Sequence, residues 1–203
     1  MIDYVGKKRS RVRLVTDASV CISVRVLRGY EQNAVLLEQL ESVMQNLKFC
    51  REVFFSDEEQ ASTLNILKHL QENVQISVHD RYLAKGELRG SSEPLWRERR
   101  PLLKGVGFNY DYEDEEGPAR DLRTGLILDK KLGIHPEVLL KEGDLLVTTG
   151  MDGVFQAGFH VAIIEKVEPL EEGAITYDLQ AKSTLPHLYE VSRVSVLPPL
   201  PQI

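Results

Sequence analysis

The stretch GDLLVTTGMDGVFQAG, residues 143–158, sets four glycines beside two adjacent threonines and two aspartates, the first of them just after a glycine. Glycine-rich segments cradle phosphates when they lead into a helix, because successive backbone N–H groups then face the ligand. A P-loop adds a Lys followed by Ser or Thr after its last glycine, and a dinucleotide site sets its glycines between a strand and a helix. Here the segment runs from one strand pattern into another, and no lysine falls between Lys141 and Lys166. Gly143, Gly150, Gly153 and Gly158, with Asp144, are therefore read as turn residues, and no cofactor is expected.

Other chemistries fare no better. A nucleophile needs a base and an orienting acid within reach, but no nucleophile-elbow pattern occurs. His69, His79, His135, His160 and His187 are scattered without motif spacing. His160, in a strand pattern, is read as structural or surface. Metal ligation would call for paired Cys or for His three or four residues apart, which neither Cys21, Cys50 nor the histidines provide. Cys21 sits in an alternating apolar run and reads as a small buried hydrophobe; a Cys21–Cys50 disulfide is left open. Glu171 and Glu172 precede Gly173 in an evident hairpin turn. The acidic run NYDYEDEEGP carries five carboxylates within 111–117; their repulsion favours a solvated loop, and their spacing does not match an EF-hand. The chain is read as a non-enzyme with no metal and no small-molecule substrate.

The elements behind these residues are mostly strands. Val12 and Leu14, then a Thr16–Ser19 turn containing Asp17, then Val20, Ile22, Val24 and Val26 alternate with polar residues, which predicts a hairpin. The period changes to three and four at Val35, Leu36, Leu40, Val43, Met44 and Leu47, and again at Leu64, Leu67 and Leu70. Ser56 with Glu59 is a capping-box signature. An αα-hairpin is thus predicted over about 33–73. VQISVHD (74–80) reads as a strand and 81–124 as a long loop region broken by glycines and prolines. DLLVTTG, FHVAIIEKVEPL, AITYDLQAK and YEVSRVSVL are short strands of a small barrel or sandwich.

The 203 residues are 42% hydrophobic and 28% charged, an ordinary globular composition, and no apolar run approaches membrane-spanning length. A net charge of -6 gives a nucleic-acid partner no overall electrostatic support. Two basic clusters stand out against it: Lys7, Lys8, Arg9, Arg11 and Arg13, and Arg97, Arg99, Arg100 and Lys104 around Trp96. Each is read first as a solvated face, then as a contact for an anionic surface or acidic protein.

GDLLVTTGMDGVFQAGFHVAIIEKVE, followed by a turn, a strand and STLPHLYEVSRVSVL, resembles the C-terminal signature of the bacterial rod shape-determining protein MreC family. SRVRLVTDASVCISVRVLRG is similar to that family's strand–turn–strand with TD in the turn. Matched positions are Thr16, Asp17, Gly143, Asp144, Val147, Thr148, Gly150, Gly153, Phe155 and Gly158. Thr149, Gln156 and Ala162 depart from the family's usual Ser, Pro and Gly, and the 33–73 helices are an insertion. The resemblance implies a mainly β fold of two small β-barrel subdomains: 1–149 carrying the inserted αα-hairpin, and 150–203 as a C-terminal β subdomain.

It further implies a non-catalytic scaffold of the cell-elongation machinery at the periplasmic face of the cytoplasmic membrane. Its partners would be the elongation transpeptidase and glycosyltransferase of peptidoglycan synthesis, membrane proteins of the shape complex, and other copies of itself. Phe155 and Phe159 are the candidate partner-binding residues, with the barrel interior as the alternative place for Phe155. The family's transmembrane helix and coiled coil do not precede this region, so Met1 is expected to be an internal start or the edge of a fragment. A periplasmic adaptor of a transport or secretion assembly, and a hydrolase on a trypsin-like pair of barrels, are the competing readings.

Overall fold

A computed structural model describes residues 1–49, 56–74, 80–91, 102–110, 118–128, 136–185 and 190–195. Its elements in chain order are β1 (Ile2–Val5), β2 (Ser10–Val12), β3 (Cys21–Arg28), α1 (Tyr30–Phe49), α2 (Asp57–Asn73), β4 (Arg81–Gly90), β5 (Leu102–Asn109), β6 (Leu145–Thr148), β7 (His160–Val167) and β8 (Tyr177–Ser183). The fold is mainly β. The chain divides into two compact units, 28–81 and the remainder.

In the larger unit, six antiparallel strands close into a barrel in the order β3-β4-β5-β8-β7-β6. Closure follows from alternation: Ile22, Val24 and Val26 of β3 point to one face, where they meet Leu83, Leu88, Leu103, Phe108, Leu146, Ile164 and Leu179 in a single buried core. The interior is tight enough to need absent side chains. A Cβ on Gly86 would lie 2.5 Å from the Phe108 ring, and one on Gly105 would collide with Leu179. These glycines make room for the Phe108 ring and the Leu179 side chain rather than breaking the strands that carry them.

That explains one correction. Residues 81–124, expected as a long loop region, hold β4 and β5, two of the longest barrel strands. A second concerns the first hairpin. The Asp17 turn forms, with Asp17 Oδ1 accepting from Ser19 N–H at 2.8 Å and from Ser19 Oγ at 2.7 Å. The strands beyond it do not pair with each other: β2 pairs with β1, and β3 pairs with β6 and β4. The third concerns the domain boundary. A division at 149/150 would separate β6 from β7, which pair through Leu145↔Ile163, Leu146↔Ala162 and Val147↔His160. Among the described residues there is one closed barrel and one separate two-stranded ladder, where two barrels were expected. Glu190–Ser195, part of an expected last strand, is not a strand. Residues 75–79 of the VQISVHD strand, the acidic run 111–117 and Trp96 with Arg97, Arg99 and Arg100 lie outside the described residues, as does Cys50.

The smaller unit is the expected αα-hairpin. Asp80 Oδ1 accepts from Glu31 N–H at 3.0 Å in the first turn of α1, where free N–H groups favour an anion. The Ser56 capping box is complete: Ser56 Oγ accepts from Glu59 N–H, and Glu59 Oε2 accepts from Ser56 N–H, each at 3.4 Å. Gln60 Nε2 donates to the Leu47 carbonyl, tying α2 to the end of α1. Of the apolar stripe of α1, only Met44 is buried.

Candidate functional site: the turn between β6 and β7

The Gly-Asp entrance to β6 is built by backbone needs. Gly143 has φ 89°, and Asp144, almost fully buried, turns its carboxylate back to accept from Lys141 N–H at 2.8 Å. A buried carboxylate is tolerated where it accepts such a bond from the backbone. Gly143 N–H donates to the Ile164 carbonyl at 2.8 Å, and Ile164 N–H to the Asp144 carbonyl at 2.9 Å, which carries the β6–β7 ladder into the turn.

At the other end of β6, Thr148 is buried and its hydroxyl works twice, donating to the Gln156 carbonyl and accepting from Phe159 N–H at 2.9 Å. The loop between them is pinned from inside by Asp152. Its Oδ1 accepts from Val154 N–H at 2.9 Å and Phe155 N–H at 3.0 Å, an Asx turn. Its Oδ2 receives the Ser23 N–H of β3 at 3.4 Å. Thr149 adds a second tie, its N–H donating to the Ser23 carbonyl at 3.0 Å while its hydroxyl accepts from Met151 N–H at 3.1 Å. Gly150, Gly153 and Gly158 take φ 78°, 65° and 90°; around Gly153 and Gly158 there is open space, so conformation alone calls for glycine there.

The result is a loop whose N–H groups at Met151, Gly153, Val154, Phe155 and Gly158 are bonded within the protein and which turns three apolar side chains outward. Met151 is 71% exposed, Val154 51% and Phe159 43%. Phe155, the other candidate contact, is half-buried and packs against the barrel core. Met151 and Val154 escape a motif reading, since hydrophobes in a turn look like core until the turn's direction is known. The signal that could have found them is Asp152 after Gly150, an acid placed to satisfy the next N–H groups and hold the loop out.

No protein-family model, curated protein or solved structure matches this chain. Its site is therefore read from its own geometry. His160 opens β7 and is exposed; His69 lies on α2, 2.7 Å from Asn73 Nδ2. His79, His135 and His187 lie outside the described residues. Among the described residues no three His, Cys, Asp or Glu side chains converge to hold a metal ion, and no helix is long and apolar enough to cross a membrane.

A second polar cluster sits on the barrel wall. Cys21, expected inside, is exposed, because β3 turns Ile22 inward. Its thiol donates to Glu87 Oε2 at 3.0 Å, and Arg89 Nη2 donates to the same oxygen at 2.9 Å. Desolvation first, then the bond to Glu87, push the Cys21 thiol up; the bonds from Cys21 and Arg89 hold Glu87 below the usual carboxylate range. A thiol so placed is a weaker nucleophile at neutral pH than a free cysteine. Glutamate, arginine and thiol here brace two neighbouring strands.

Proposed function

We propose that this chain is a non-catalytic binding module, a scaffold of the bacterial cell-elongation machinery that engages peptidoglycan-synthesis enzymes outside the cytoplasmic membrane. The observation that carries the reading is the β6–β7 turn. Asp152, Thr148 and Thr149 lock its backbone, and it presents Met151, Val154 and Phe159 to solvent. Pre-ordered apolar side chains on a rigid turn lose little conformational entropy on binding, which is what a protein-recognition surface needs. The turn also falls within the segment that resembles the MreC signature, which supplies the class of partner: the elongation transpeptidase first, with its glycosyltransferase, membrane proteins of the shape complex and further copies of the chain behind it.

The test is biolayer interferometry of the full chain against the periplasmic domain of an elongation transpeptidase, with Met151→Asp and Phe159→Ala alongside. Saturable binding that either substitution weakens by ~10-fold or more, as for a central interface contact, supports the reading. Absence of binding by a folded chain, or binding that both variants retain in full, overturns it.

A further inference from the structure

The β1–β2 ladder stands apart from the barrel sheet and carries a chemistry of its own. Two short strands alone are marginal in water, yet Ile2, Tyr4, Val5 and Val12 are all exposed, Val5 at 72% and Tyr4 at 56%. The strands meet in a tight turn closed by Gly6 N–H donating to the Arg9 carbonyl at 2.9 Å. Lys7, Lys8 and Arg9 project from that turn, all exposed.

Residues 1–13 hold five bases against the single acid Asp3, in a chain whose net charge is -6. Asp3 is already committed to Arg11 at 2.5 Å and Arg13 at 2.7 Å, so it anchors the base of the ribbon and leaves the tip positive. Further down, Arg13 also reaches Ser19 Oγ at 3.2 Å, linking the ribbon to the Asp17 turn.

We infer that this ribbon is a membrane-surface element that lays Tyr4 and Val5 into the headgroup region of an anionic phospholipid bilayer while Lys7, Lys8 and Arg9 engage the lipid phosphates. Charge complementarity selects the partner: a compact positive tip on an acidic chain is drawn to an anionic surface and orients the molecule on it. The apolar residues select lipid over an acidic protein. Tyr4 and Val5 adjoin the bases at the exposed end of the ribbon, and a fluid interface accepts an aromatic ring, an aliphatic side chain and snorkelling lysines together without a matching cavity. The inference does not rest on the scaffold reading, since it uses a different face and different residues.

The experiment is co-sedimentation of the full chain with phosphatidylcholine vesicles with and without phosphatidylglycerol. Binding is expected only with phosphatidylglycerol and is expected to fall as salt rises. The combined change Lys7→Glu, Lys8→Glu and Arg9→Glu should lower partitioning by roughly 100-fold, at about fivefold per lost base. Val5→Asp should lower it as well. Because these side chains are exposed, both variants should keep the wild-type circular dichroism and unfolding midpoint; the salt dependence of the wild type tests the inference independently should a variant misfold. Three results overturn it: no sedimentation with anionic vesicles, partitioning that the charge reversal leaves unchanged, or retention on immobilised polyglutamate with none on vesicles, which would assign the tip to an acidic protein.

Discussion

Thr149 N–H donates to the Ser23 carbonyl at 3.0 Å, joining positions 126 residues apart where the β6–β7 turn leaves the barrel. Together with the Asp152 carboxylate on Ser23 N–H, it makes the turn an extension of the β3–β6 wall. Asp152→Ala removes acceptors for Val154, Phe155 and Ser23 and should destabilise the fold by about 1–2 kcal/mol. Asp152→Asn, which keeps one acceptor oxygen, should cost less. Urea unfolding midpoints at a fixed slope measure both.

The two phenylalanines should separate stability from binding. Phe155 packs on the core, so Phe155→Ala should cost about 2 kcal/mol, less than the usual figure for a fully buried ring. Phe159 is exposed, and Phe159→Ala should stay within about 0.5 kcal/mol of the wild type. Thermal unfolding of the pair checks this, and equal losses would place both rings in one environment.

Glycine substitutions should divide by cause. At Gly153 a Cβ meets nothing, so Gly153→Ala suffers only the left-handed backbone and should cost about 1–2 kcal/mol. At Gly90 the backbone is ordinary, but a Cβ would collide with the Thr16 carbonyl. That neighbour is main chain and cannot rotate away, so Gly90→Ala should cost about 3 kcal/mol or more. Denaturant titration of the two variants ranks them, and a milder Gly90→Ala would mean that the Thr16 segment yields.

What the sequence made legible follows where local rules decide. The capping box of α2, the alternation of β3 and the Gly143–Asp144 entrance were readable because each is settled within a few residues. The strands β4 and β5 were not, since Gly86 and Gly105 look like breakers until Phe108 and Leu179 fill the space above them. Pairing was hidden for the same reason: alternation shows that β3 has an inward face and is silent on whether its neighbour is β2 or β6. The closed strand order leaves the barrel no open edge. Met151 and Val154 entered the candidate site only with the loop's direction.

The Cys21 cluster gives a chemical readout. Partial desolvation and Glu87 keep the thiol protonated beyond its ordinary range, so alkylation of folded protein by iodoacetamide should begin at higher pH than for a free cysteine. Glu87→Gln removes the carboxylate's contribution and leaves burial in place, so the profile should move down without reaching the free-thiol value. The measurement is the pH-dependence of modification at Cys21, followed by peptide mass spectrometry, and an unshifted wild-type profile would show that the Glu87 bond is not kept in solution.

Stability should fall at both ends of the pH scale, for opposite reasons. Asp17 is held low by its bonds from Ser19, Asp121 by those from Thr124, Glu168 by Lys166 and Glu87 by Cys21 and Arg89. A carboxylate whose folded value is depressed contributes stability above its unfolded value and loses it as pH falls through the folded one. The acid limb should therefore open as pH falls through the ordinary carboxylate range and continue downward to the depressed folded values. Cys21 has the opposite sign: its folded value is raised, so its contribution is complete below the unfolded thiol value and is lost as pH rises through the folded one. These carboxylates are half-buried and still reach solvent, so each step is small and screened by salt. Unfolding midpoints across pH should show a plateau between the two limbs, with the alkaline limb reduced in Cys21→Ser and the acid limb flattened at high salt. An alkaline limb identical in Cys21→Ser would remove the thiol from the account.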